Sequence, residues 1–279
     1  MPKLCIGLLT HCDDSSDPER FDILKKSVDS LAGLASPDVY IYVWDNNSSP
    51  NVRAFLKEKK FFNALYLSDS NLYDVVAVHK LVQEASDIGA EYVCHLEDDF
   101  FFYKNDFVQS CIDFLDTNKD CGYLRILKYE FDKKHKYDKF LKHPELDPNN
   151  GQRHHNQITK EKLAWEDAGS ITGFRFYKNN WHWYNYANIC RLDVFRSIIP
   201  YADHKPLQDL EGYMMKNYHD LGLKTGVLDG GVVTHLGNFT PQTSQRVKLQ
   251  KQYSVTSVGP TILYTDVEEE IKAHGLPTS

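Results

Sequence analysis

The chain has 279 residues, 42% hydrophobic and 25% charged, the proportions of an ordinary soluble globular protein. Its formal net charge of −7 argues against a nucleic-acid or anionic-membrane partner, which would want a basic face. No apolar run approaches the roughly 18–20 residues that span a bilayer, and "MPKLCIGLLTHCDD" has no small-residue cleavage site, so neither a membrane span nor a signal peptide is expected.

"KLCIGLLTH" (3–11) predicts a buried first strand. A helix is expected over 17–34, where Phe21, Leu24, Val28 and Leu31 fall on one face, Asp17 suits an N-cap and Pro18 a first turn. "DVYIYVWDNNSSP" (38–50) reads as a second strand ending in a polar turn, "NVRAFLKEK" as a short helix and "NALYLSD" (63–69) as a third strand. A second amphipathic helix over 74–89 leads into a fourth strand, "AEYVCHLEDD". This alternation implies a parallel, doubly wound α/β sheet, in which ligands bind outside the carboxyl ends of the strands. Thr10–His11, Asp45–Asn46–Asn47 and Glu97–Asp98–Asp99 all fall at that edge.

The second half is less regular. A helix is expected over 107–116 and a strand over 121–131, followed by a long Lys-, His-, Asp- and Asn-rich loop over 132–170 that includes His154–His155. "WHWYNYANICRLDVFRSII" (181–199) reads as an aromatic strand leading into a helix, 207–223 as another helix, and 224–237 as a final strand or hairpin. The six cysteines form no CxxC pair and several lie in apolar runs, which predicts reduced thiols in a cytoplasmic protein.

Three adjacent carboxylates at the end of an apolar run repel one another, and burial raises their pKa values. A positive charge is expected beside them. The order of the motifs supplies a candidate. "SNLYDVVAVHKLVQEASDIGAEYVCHLEDD", then "FFFYKNDFVQSCIDFL", then "LQDLEGYMMKNYHDLGLKTGVLDGGVVTHLG" resembles the GT-A glycosyltransferases, especially the family 2 type, with Glu97–Asp98–Asp99 as an EDD version of the DxD motif.

The resemblance covers about residues 3–237 and implies a mostly parallel, Rossmann-like GT-A sheet flanked by helices. A single domain over 1–240 would comprise a nucleotide-sugar-binding half (1–101) and an acceptor half (102–240), with 241–279 as a C-terminal extension. It implies a divalent cation, Mn²⁺ or Mg²⁺, bridging Asp99 and the donor diphosphate, with His235 as a further ligand and Glu97 and Asp98 facing ribose, sugar or the metal's waters. Asp45 would accept the base N–H, uracil being the usual partner, while Thr10, His11, Asn71 and Lys80 would contact the nucleotide. An inverting enzyme needs a general base for the acceptor hydroxyl, and "QDLE" offers Asp209 and Glu211; Gln208 stands where the family pattern has Glu. Trp181, Trp183, Tyr184 and Tyr186 would stack on a sugar face.

The expected partners are therefore a nucleotide-sugar, UDP-linked, and a glycan or other hydroxyl acceptor. Against this stand the plainer readings, in which Asp45 caps a turn, Lys80 is a solvated helix charge and the aromatic cluster is core. The competing functions are a sugar nucleotidyltransferase, whose Gly-rich phosphate loop "IGLLTHCDDSSD" lacks, a metal-dependent hydrolase, and a non-catalytic nucleotide- or sugar-binding module.

Overall fold

A computed structural model describes residues 1–127, 166–180, 187–199 and 210–236. The first half runs β1 (Leu4–Thr10), α1 (Pro18–Leu31), a 3₁₀ turn (Ala32–Leu34), β2 (Val39–Asp45), α2 (Pro50–Glu58), β3 (Ala64–Leu67), α3 (Tyr73–Asp87) and β4 (Tyr92–Glu97). Then come β5 (Phe100–Phe102), α4 (Val108–Thr117), β6 (Cys121–Arg125), β7 (Glu166–Ile171), β8 (Phe174–Asn179), β9 (Asn188–Arg191), α5 (Leu192–Ile198), α6 (Leu210–Asp220), β10 (Lys224–Leu228) and β11 (Val233–His235).

Among the described residues nine strands form one sheet in the order β3-β2-β1-β4-β9-β6-β10-β8-β7. The β3-β2-β1-β4 block is parallel, and β6 pairs in parallel with β10. β9 runs antiparallel to both β4 and β6, which therefore share one sense. An antiparallel β7–β8 hairpin completes the far edge. The sheet is thus mostly parallel, with helices on both faces.

Period-2 alternation assigns the strand side chains to two cores. Leu4, Ile6 and Leu8 of β1 and Ile41 and Val43 of β2 pack with Leu24 and Val28 of α1, Leu56 of α2 and Phe114 of α4. Cys5 and Leu9, with Tyr42 and Trp44, face Val78 and Leu81 of α3, Phe195 of α5 and Tyr218 of α6. Both faces of β1 are buried, which is why its sequence is continuously apolar rather than alternating.

A cap orders α1, and four hydrogen bonds fix helices relative to the strands. The Asp17 side chain accepts from Arg20 N–H at 3.0 Å and caps α1, as its sequence position predicts. Farther along α1, Ser27 Oγ–H donates to Phe100 O at 2.5 Å, and Phe102 N–H donates to Ser30 Oγ at 3.1 Å, joining α1 to β5. In the second half, Tyr218 of α6 accepts from Gly122 N–H at 2.9 Å and donates to Lys224 O at 2.5 Å, tying α6 to β6 and β10.

Three departures from the sequence reading have local causes. β5 is a strand because β11 pairs with it antiparallel in a separate two-stranded sheet. The described part of 224–237 is therefore not a hairpin: β10 and β11 belong to different sheets, separated by Gly230 and Gly231 at φ 74° and 62°. Residues 166–170, expected as loop, lie in β7, whose tight turn to β8 is Thr172–Gly173 at φ 45° and 86°. The expected loop residues 132–165, including His154–His155, and the tail 241–279 lie outside the described residues. Among the described residues no helix is long and apolar enough to cross a membrane, and all six cysteines are free and buried.

Candidate functional site

Register brings the polar strand ends together. Thr10 lies opposite Asp45, and Leu9 opposite Glu97. Thr10 Oγ1–H donates to Asp98 Oδ2 at 2.8 Å, and His11 N–H donates to the same oxygen at 3.3 Å. His11 Nδ1 lies 2.9 Å from Asn46 O, a carbonyl that only accepts, so the ring proton sits on Nδ1. Asn46 in turn donates through Nδ2 to Asn71 Oδ1 and accepts from Leu72 N–H, both at 2.7 Å. These bonds lace the loop after β1, the turn after β2 and the segment before α3 into one edge. Thr10, His11, Asp45, Asn71, Glu97, Asp98 and Asp99 all belong to it.

The positive charge beside the carboxylates is Arg20. Its guanidinium ion-pairs with Asp98 through Nη2 and with Asp99 through Nη1 at 2.9 Å. Both carboxylates are 2% exposed, whereas the arginine side chain is 30% exposed. Burial pushes the Asp98 carboxyl above its ordinary range, with Asp99 adding to the rise, while Arg20, Thr10 and His11 pull against it. Burial works against the Arg20 charge too, but Asp98 and Asp99 outweigh it and hold Arg20 above its ordinary value. The arginine stays cationic. Its place in the first turn of the capped α1 is what aims it at the end of β4.

Asp45 carries a second arginine. Arg53 Nε–H donates to Asp45 Oδ2 at 2.7 Å, and Ser48 N–H donates to both carboxylate oxygens at 3.2 and 3.3 Å. Arg53 also donates to Ser68 O, clamping the ends of β2 and β3. The Asp45 carboxylate has no exposed surface. A base would meet it only by displacing Arg53.

Other expected residues fall elsewhere. Lys80 is exposed on α3, about 10 Å along the axis from its first turn, and is not gathered into the edge. Asp209, Trp181, Trp183, Tyr184 and Tyr186 lie outside the described residues. The backbone places Glu211 in the first turn of α6 and His235 opposite Phe100, but their side chains lie outside what is described. Leu236 N–H donates to Asp99 O at 2.7 Å, so the end of β11 docks on the acidic turn.

Sequence reasoning missed Arg20 and Arg53. Each sits in the first turns of a helix, where a charge reads as solvated; the available signal was only that each helix follows a strand ending at the acidic edge.

Among the described residues no three His, Cys, Asp or Glu side chains are gathered as a metal site. The Asp98–Asp99 pair nonetheless accepts a cation, since the Arg20 guanidinium sits between the two carboxylates. Their hard oxygen donors fit Mg²⁺ or Mn²⁺ once that guanidinium withdraws.

No known family matches the sequence, and no curated protein matches it. Its fold is similar to solved structures. Residues 1–349 of S. aureus TarS align over 97% of this chain and 77% of that one, with a TM-score of 0.54 and 13% identity. The same TarS fragment in complex with UDP-GlcNAc aligns at TM-score 0.52 and 14% identity, covering 97% and 69% of the two chains. The mannosyltransferase PcManGT from Pyrobaculum calidifontis, in complex with GDP-Man and Mn²⁺, aligns at TM-score 0.55 and 10% identity over 90% of this chain and 61% of that one. The fold is that of the GT-A glycosyltransferases.

Proposed function

We propose that this chain is a glycosyltransferase that moves a sugar from a UDP-linked donor to a hydroxyl acceptor on a glycan or other molecule, with inversion at the anomeric carbon. The observation that carries the reading is the convergence of Thr10, His11, Asp98 and Asp99 at the carboxyl edge of adjacent strands β1 and β4, where doubly wound sheets bind nucleotides. The nucleotide-sugars in the complexes of TarS and PcManGT lend support to this class of donor.

In this reading Asp99, with His235, would hold a divalent cation. Bound there, the cation would neutralise the charge developing on the nucleoside diphosphate leaving group. Asp98, tied to Thr10 and His11, keeps the end of β1 in register with the acidic turn. Glu97, the more exposed acid of the three, faces the donor. Asn46 and Asn71, bonded to each other, border the base and ribose. Asp45 serves uracil recognition by exchanging its bond from Arg53 for the base N3–H. Asp209 takes the proton of the acceptor hydroxyl as that oxygen attacks, with Glu211 as the alternative base.

The test is to incubate the protein with Mn²⁺ and a panel of nucleotide-sugars and to measure free nucleoside diphosphate. UDP release that rises on adding an acceptor is expected. Pyrophosphate release from a nucleoside triphosphate and a sugar phosphate would replace this reading with a nucleotidyltransferase. Binding of donor with no release under any acceptor would leave a binding module.

A further inference from the structure

We propose that Arg20 and the divalent cation compete for the same two carboxylates, so that Arg20 is a built-in counter-ion that must leave before metal binds. This rests on the reading of Asp99 as the cation's ligand, with Asp98 beside it facing the metal's waters, and adds a device to it.

The argument starts from charge. Two adjacent buried carboxylates need a cation nearby, because desolvation and mutual repulsion both disfavour the ionised pair. Arg20 provides it by spanning them, one terminal nitrogen to each. A dication between the same carboxylates would meet the guanidinium at the oxygens it already holds, so the two cations exclude one another.

The fold lets the exchange happen at the side chain alone. The backbone of α1 is fixed at Arg20 by the Asp17 cap and farther along by the bonds of Ser27 and Ser30 to β5. The arginine side chain, by contrast, is partly exposed, and its rotatable stem lets it turn toward solvent without moving the helix. Asp98 stays in place when it goes, because Thr10 Oγ1 and His11 N still donate to it. Apparent metal affinity in the free protein is then reduced by the fraction of molecules with Arg20 seated.

The experiment titrates the nucleotide-free full chain with MnCl₂ and reads free Mn²⁺ by electron paramagnetic resonance. Arg20→Gln should bind Mn²⁺ at least tenfold more tightly than the native chain, and adding Asp99→Asn to that variant should abolish the gain. Arg20→Lys keeps a positive charge but loses the planar fork that reaches both carboxylates. It should bind at least threefold more tightly, and it carries the test if the glutamine variant does not fold. Native binding that Asp99→Asn removes, but that neither Arg20 variant tightens, overturns the competition and leaves the metal site standing. No binding by any of these proteins, with UDP present or absent, overturns both.

Discussion

Arg53 Nε–H donates across 2.7 Å to an Asp45 carboxylate that has no exposed surface. Removing one partner of a buried ion pair typically costs about 3–5 kcal/mol, because the other charge is left uncompensated. Arg53 is itself 21% exposed, so water tempers the loss. Arg53→Met should destabilise the protein by about 2–3 kcal/mol in urea unfolding, and Arg53→Lys by less. A Met variant as stable as the native chain would mean that water already reaches Asp45.

Gly7 of β1 packs against α3 where a side chain does not fit. A Cβ at Gly7 would stand 2.4 Å from Leu81 Cδ1 and 2.9 Å from Leu81 Cγ. Gly7→Ala should cost about 1–3 kcal/mol as overpacking. Leu81→Ala alone should cost about 2–5 kcal/mol as a cavity. Since each change relieves the other, the double variant should lose less than the sum by at least about 0.5 kcal/mol. Strict additivity in chemical denaturation would show that Leu81 moves aside freely.

His95 gives the stability a pH slope. It lies fully buried on β4, its ring edge-on to Phe195, and burial lowers its pKa to about 3 from an ordinary 6.5. The unfolded chain binds a proton below pH 6.5 that the folded chain refuses until about pH 3. The contribution of neutral burial is therefore complete above pH 6.5 and is lost as pH falls toward 3. Between pH 6.5 and pH 5 the loss should be about 2 kcal/mol. His95→Gln should flatten that part of the profile; equal slopes in the two proteins would refute it.

The proposed base separates transfer from donor binding, since it touches only the acceptor. Asp209→Asn should lower kcat by about 10²-fold or more while leaving nucleotide affinity within about twofold. If it keeps over a tenth of the rate and Glu211→Gln is inactive, the roles are exchanged. If both stay active, a single-base inverting mechanism does not apply.

The first four strands and three helices were legible because burial on both faces of β1 and β2 leaves continuous apolar runs, while α1, α2 and α3 keep a 3.6-residue apolar face. β7 was not, because its residues are mostly exposed on both sides and carry no alternation. β5 was hidden because its partner, β11, lies far along the chain. The meeting of Thr10 with Asp98 was legible from topology alone, since strand ends in a parallel sheet share an edge. What the acids touch there was not. Arg20 and Arg53 look like solvated helix charges, and only three-dimensional packing reveals that each is committed to a buried carboxylate. Lys80, on the same kind of amphipathic helix, is exposed.

The docking of β11 beside the acidic turn sets an order of assembly. Leu236 N–H closes on Asp99 O, and Phe100 pairs with His235 across β5 and β11. Well over a hundred residues separate the two sides of that contact, on the order of ten seconds of ribosomal synthesis. On the ribosome, β1, β2, β3 and β4 can emerge and pair long before β5 has anything to pair with. The nascent chain would thus own the parallel half of its sheet before it owns a closed acidic corner, and this long-range closure is the step expected to slow maturation. A chain truncated before residue 233 would stop at that stage.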